Sequence, residues 1–125
     1  MELLHLQAAH KDDRGEIADL IQHENVNAIT LITFTKGAVR GNHCHKETVQ
    51  WNYVISGKIK LVTQMPGSDI VETILNVGDL AVTREHESHA LQGLEASSLM
   101  VFTRGPRGGD AYELDTFRLE KPLIK

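Results

Sequence analysis

A single cysteine, Cys44, among 125 residues excludes an internal disulfide and agrees with a reducing compartment. Basic residues are scarce as well. Thirteen Lys and Arg stand against 17 Asp and Glu, for a net charge of −4, and no basic stripe exists to neutralise a phosphate backbone. Nucleic acid is a poor partner on these grounds. No apolar run nears the roughly 18 to 20 residues of a membrane span, and Met1-Glu2-Leu3-Leu4-His5 lacks the basic and apolar regions of a signal peptide. A soluble, cytoplasmic protein is expected. Linkers, repeats and low-complexity tracts are missing too, and the length suits one domain spanning 1–125. Helix signals are weak, since only residues 14–23 could hold a short helix and the same stretch suits a strand equally well.

What the chain does have is short β-type runs and histidine. Residues 28–35 are β-branched and alternating, with Ile29, Leu31 and Thr33 on one face. Further strands are expected over 39–45, 49–56, 59–63, 70–75, 80–83, 88–92 and 97–103. Turn residues such as Ser56-Gly57-Lys58 and Asn76-Val77-Gly78-Asp79 punctuate them. The pattern is all-β, a sandwich or barrel. Residues 104–110, rich in Gly and Pro, read as a loop, and 116–119 as a last strand that docks on the sheet or on a neighbouring subunit.

Seven histidines are many for so small an acidic chain. Successive side chains of a strand point to opposite faces, so His43 and His45 share a face and Cys44 takes the other. Two imidazoles at that spacing can share one metal or one substrate. On the next strand Gln50, Asn52 and Val54 fall on one face, with Trp51, Tyr53 and Ile55 on the other. Gln50 is thus placed to look into the same space as the histidines. Trp51 and Tyr53 are read as sheet-packing residues or as part of a dimer interface. His89 opens a later strand, after a turn that holds His86. His5, His10 and His23 have no partners at useful spacing. Arg40 and Arg104 could bind a phosphate or carboxylate through bidentate contacts, and Arg14 is similar.

These residues resemble the cupin superfamily. Gly37, His43-Cys44-His45, Gln50 and Gly57 match the first cupin motif in every spacing, with Gln50 where the motif has glutamate. Gly78 and His89 keep the spacing of the second motif, which is otherwise altered at Arg84, His86 and Gly93. The resemblance covers about residues 28–103. It implies a double-stranded β-helix, a jelly-roll-like barrel whose histidines line an interior cavity. Carried over to this chain, the metal ligands are His43, His45, Gln50 and His89, suited to zinc, iron, manganese or nickel. Gln50 brings no negative charge and would weaken such a site. Asp12-Asp13-Arg14-Gly15 and Arg40-Gly41-Asn42-His43 also look like runs in nucleotide-sugar epimerases. The latter run, with a glutamine five residues after the second histidine, is similar to dTDP-sugar 3,4-ketoisomerases, which move protons with histidines and need no metal. Metal-binding cupin portions of polysaccharide-biosynthesis reductases share it as well.

The reading that follows is an isomerase or epimerase of a sugar or nucleotide-sugar, a homodimer in keeping with the resemblance. His43 would be the base and His45 its partner, with Arg40, Asn52 and Arg104 binding substrate. A non-catalytic cupin that holds a metal or small ligand is a second reading, supported by the missing glutamate and by the want of an acid at cavity spacing. An iron-dependent dioxygenase is a third, permitted by ligand type alone.

Overall fold

Strands dominate because β-branched residues recur at period two between glycine-bearing turns. The computed structural model describes residues 1–4, 6–107 and 109–125. His5, given no role above, and Gly108, within the loop expected over 104–110, lie outside the described residues. In chain order the strands are β1 (Glu2–Leu4), β2 (His10–Asp12), β3 (Gly15–Ile17), β4 (Ala28–Phe34), β5 (Val39–Cys44) and β6 (Val49–Ser56). They continue with β7 (Lys58–Gln64), β8 (Val71–Asn76), β9 (Leu80–Thr83), β10 (Ser88–Gly93) and β11 (Ser97–Arg104). A helix, α1 (Gly109–Leu114), and β12 (Phe117–Arg118) close the chain.

Two five-stranded sheets, ordered β1-β9-β6-β11-β4 and β12-β5-β10-β7-β8, form the barrel walls, and every pairing is antiparallel. This is the double-stranded β-helix that the motifs imply. Residues 14–23 give β3 and no helix, because Gly15 to Ile17 fold back on β2 as a small hairpin. β1, which pairs with β9, and α1 were not expected from the sequence. No helix among the described residues is long and apolar enough to cross a membrane.

The inward side chains divide the barrel into two halves. Phe34, Val54, Ala81, Leu99 and Val101 of the first sheet meet Ile59, Leu61, Leu75 and Leu91 of the second in one buried apolar cluster. Toward the other end the same strands turn polar. Thr83, Gln50 and Thr103 stand side by side across the first sheet, and Thr63, His89 and His43 across the second. Strand register therefore builds both halves at once. Outside the first sheet, Val49, Trp51, Leu80 and Val82 pack beneath Leu4, Leu6, Ile21 and Val26. Trp51 is accordingly a sheet-packing residue, covered by the chain's own N-terminal segment.

Gly57 makes the β6–β7 turn at a φ of +82°, where an added Cβ would lie 2.5 Å from Ala96 O and 2.7 Å from Ser97 Cα. Gly57→Ala is expected to cost about 2–4 kcal/mol and to lower the melting temperature by roughly 10 °C. Thermal unfolding followed by circular dichroism checks this, and an unchanged midpoint contradicts it.

Candidate active site

His43 reaches the cavity through a distorted strand. Gly41 and Asn42 have φ of +90° and +57°, and the β5–β10 register shifts between His89 and Ala90. Only glycine fits at the first position, since a Cβ there would sit 2.9 Å from His89 O. His45 lies just past the end of β5, and its carbonyl accepts from His86 N at 2.6 Å. The result is a cluster of three rings. Centroids of His43 lie 4.7 Å from those of both His45 and His89, and the last two are 5.4 Å apart.

Hydrogen bonds define the protonation of the cluster. His45 Nδ1 is 2.8 Å from Asp115 O, and a carbonyl only accepts, so Nδ1 carries the proton and Nε2 keeps its lone pair. That Nε2 is buried and has no partner among the described residues, and the same holds for His43 Nδ1. His89 Nδ1 has a long contact to Glu87 O, 3.4 Å. The Glu87 carboxylate itself is buried, pairs with the Met1 ammonium and accepts from Arg84 N at 3.0 Å.

Burial, reinforced by the neighbouring rings, lowers these pKa values. Desolvation first, then His45 and Arg118, bring His43 to about 4. His89 falls to about 3 through burial and then through His43 and His45. Desolvation also lowers His45, against the opposing pull of Asp115. All three are neutral imidazoles at pH 7, able to accept a proton or ligate a cation.

The cavity beside them holds about 210 Å³. This is below the roughly 300–1,000 Å³ of drug-sized sites and suits one small polar ring or the reacting end of a longer ligand. Gln50 and Asn52 line it with His43 and His89, above an apolar floor that includes Leu91 and Leu99. Two arginines, Arg40 and Arg107, line it too, the Arg40 guanidinium donating to Thr33 O at 3.2 Å and lying 5.5 Å from the Phe34 ring, and none of the lining residues is acidic. Tyr112 of α1 completes the wall, its ring 5.2 Å from that of His45 and 4.2 Å from the Arg107 guanidinium.

The structure thus brings together His43, His45, His89, Gln50, Asn52 and Arg40. Asn52 is largely committed to bracing, since its amide nitrogen donates to Ala81 O at 3.0 Å and contacts Gln50 O and Thr83 Oγ1 at 3.3 and 3.4 Å. Arg104 is not brought in, which corrects the expectation. It pairs with Glu24 at 2.7 Å and lies 5.6 Å from the Trp51 ring, on the outer face of the first sheet. Arg14 is taken by Asp12 at 2.6 Å. His86 is exposed, and Cys44 is absent from the lining. Sequence reasoning missed Arg107, Tyr112 and Asp115. The run Asp110-Ala-Tyr-Glu-Leu, apt for a short helix after the glycines, was the available signal.

The family model described as polysaccharide biosynthesis C-terminal domain matches residues 10–102, and the chain belongs to this family. No curated protein matches it by sequence. Among solved structures, it is similar to a 3,4-ketoisomerase from Helicobacter canadensis, with a TM-score of 0.79 and 22% identity over 94% of this chain and 89% of that one. It is also similar to the dTDP-4-dehydrorhamnose 3,5-epimerase of Sulfolobus tokodaii, with a TM-score of 0.68 and 22% identity over 81% of this chain and 68% of the other. The sugar 3,4-ketoisomerase of Thermoanaerobacterium thermosaccharolyticum in complex with TDP gives a TM-score of 0.77 at 17% identity, over 95% and 88%. At these identities the likeness is one of fold, the cupin barrel.

An imidazole held low in the folded chain takes its proton first in the unfolded one, near 6.5. Stability that depends on neutral His43 and His89 is therefore complete above about pH 6.5 and is lost as pH falls toward 4. For buried His89 the slope approaches about 1.4 kcal/mol per pH unit. In chelator-treated protein, the urea midpoint is expected to fall across this range, and less steeply in His89→Asn. Parallel curves for the two proteins contradict the assignment.

Proposed function

We propose that the cavity is the active site of an isomerase or epimerase acting on a nucleotide-linked sugar. One observation carries the reading: the neutral imidazoles of His43 and His89 line a cavity that two arginines also line and no carboxylate does. Such a site favours an anionic ligand in a protein whose net charge is −4. The structural neighbours, named as epimerases and ketoisomerases, support the same chemistry.

The reaction is proton transfer next to a carbonyl. His43 lines the cavity and is the base, removing a proton from the carbon beside a keto group, so that the electron pair moves to the carbonyl oxygen and an enediolate forms. A pKa of about 4 makes a weak base in the empty cavity. The anionic ligand offsets this, because negative charge nearby favours the imidazolium and raises the pKa as the substrate enters. Arg40 and Arg107 neutralise the diphosphate and the developing oxyanion. In an isomerase the hydroxyl proton of the enediolate passes to the former carbonyl oxygen and the abstracted proton returns to the former carbonyl carbon, which leaves the ketone on the first carbon; in an epimerase the proton returns to the opposite face of the same carbon. Tyr112, beside His45 at the cavity wall, is the acid that the sequence did not reveal.

A second use of the triad is favoured by its donor atoms. One nitrogen of each of His43, His45 and His89 lies within 4.8 Å of the others. Nitrogens bound to one ion at about 2.1 Å can be at most about 4.2 Å apart, so a small closure of the rings would complete the set. His43, His45, His89 and the Gln50 amide oxygen would hold a divalent ion of zinc, iron, manganese or nickel, which would supply Lewis-acid polarisation of a carbonyl. Gln50 adds no charge, so the ion would be held less firmly than in a set containing a carboxylate. Elemental analysis of protein purified without added metal is expected to find near one equivalent per chain on this reading. Less than about a tenth of an equivalent removes it.

For the isomerase reading, dTDP- or UDP-linked keto-sugars are expected to take up solvent deuterium in the presence of the protein, as read by mass spectrometry. His43→Asn lowers the exchange rate by at least about 100-fold, and Tyr112→Phe lowers kcat by about 10²- to 10³-fold with little change in KM. Arg107→Ala instead raises KM. Absence of exchange with every such sugar overturns the assignment and leaves a binding role.

A further inference from the structure

Residues 112–124 are stapled along the strand that carries the histidines. Before His43, the Asn42 side chain accepts from Leu123 N at 2.8 Å and from Ile124 N at 3.2 Å, and it donates to Ile124 O at 2.9 Å. Alongside it, β12 pairs Arg118 with His43 and Phe117 with Cys44. After His45, the Asp115 carboxylate accepts from Lys46 N at 2.9 Å, Glu47 N at 3.1 Å and Thr48 Oγ1 at 2.7 Å. The first two donors are the consecutive N–H groups of the β5–β6 turn. One buried carboxylate bridges them in the manner of an anion held by backbone amides. Burial raises its pKa, but the bonds from Thr48, Lys46 and Glu47 outweigh this and hold it below its ordinary value. It stays an anion.

We propose that Asp115 is a positioning residue whose carboxylate clamps the β5–β6 turn so that its own carbonyl selects the His45 tautomer. Its two ends act together. The side chain holds the turn that follows His45, and the backbone oxygen takes the His45 Nδ1 proton at 2.8 Å. Neither contact alone orients the ring, since a carbonyl free to drift would let the imidazole exchange tautomers. With Nδ1 committed, Nε2 presents a lone pair toward the cluster. In the opposite tautomer it would present a hydrogen beside His43 and His89, unable to accept a proton or hold a cation.

The same anchor places α1. Asp115 N donates to Tyr112 O at 3.1 Å, and Thr116 Oγ1 donates to it at 2.7 Å, so Tyr112 is fixed three residues from the clamp. This deepens the functional reading and rests on it only in assigning His45 a role at the site. The tautomer itself is independent of any reaction.

The test is long-range ¹H–¹⁵N spectroscopy of histidine-labelled, chelator-treated protein at pH 7.5. In the wild type His45 is expected as a single species protonated at Nδ1. Asp115→Asn puts an NH₂ group or a single neutral acceptor against two N–H donors. It is expected to give His45 as a mixture of tautomers, with amide exchange at Lys46 and Glu47 at least about 10-fold faster and kcat about 10- to 100-fold lower at little-changed KM. Thr48→Val removes one of the three bonds and moves the same readouts less far; it carries the test should Asp115→Asn fail to fold. Asn42→Gly frees the tail at its other anchor without straining the positive φ, and is expected to leave the His45 tautomer as in the wild type. A single Nδ1-protonated His45 in Asp115→Asn or, if that variant does not fold, in Thr48→Val overturns the proposal. So does a tautomer mixture in Asn42→Gly equal to that in Asp115→Asn. If no sugar exchanges deuterium while the tautomer responds as described, the functional reading fails and the clamp stands.

Discussion

Three imidazoles with ring centroids 4.7 to 5.4 Å apart, shut into one end of a barrel, cannot all be charged. Each would lose its hydration and face two like charges at short range, where the low local dielectric magnifies repulsion. Neutrality is the condition under which this end of the barrel can close, and it is also what gives the cluster its chemistry. The apolar half contributes directly, since Leu91 and Leu99 belong to the core and to the cavity floor alike. Packing and proton affinity are set by the same residues.

Around that uncharged centre the fixed charges are sorted. Acidic residues outnumber basic ones in the chain as a whole, yet the cavity lining has Arg40 and Arg107 and no carboxylate. Asp115, the buried acid near His45, has its oxygens turned to backbone N–H groups and Thr48. Its oxygens face the turn and are not part of the cavity lining, which keeps a positive bias toward an anionic ligand.

Period-two alternation made much of this legible beforehand. It put Gln50 and Asn52 on one face of β6 and Trp51 on the other, as observed, and the motif spacing brought His89 opposite His43. Alternation also contained the answer for Arg104, which follows inward-facing Thr103 on β11 and so must point outward with Phe102. The Arg104 partner Glu24, 80 positions away, is not a local signal. The C-terminal contribution was hidden for a related reason. Arg107 and Tyr112 belong to a segment that Asp115 anchors on a turn 67 to 69 residues earlier, a contact no short window contains. β1 is similar, being too short to announce itself and stable only through its pairing with β9.

The central claim is that a buried, uncharged histidine cluster forms the working end of the barrel. Direct titration of His43, His45 and His89 in chelator-treated protein, by histidine ¹⁵N shifts between pH 7.5 and 5, tests it most closely. The account predicts that His43 and His89 keep the shifts of neutral imidazole throughout, with His43 protonating only near 4. Protonation of His43 or His89 near 6.5, the value of a solvated imidazole, would contradict it.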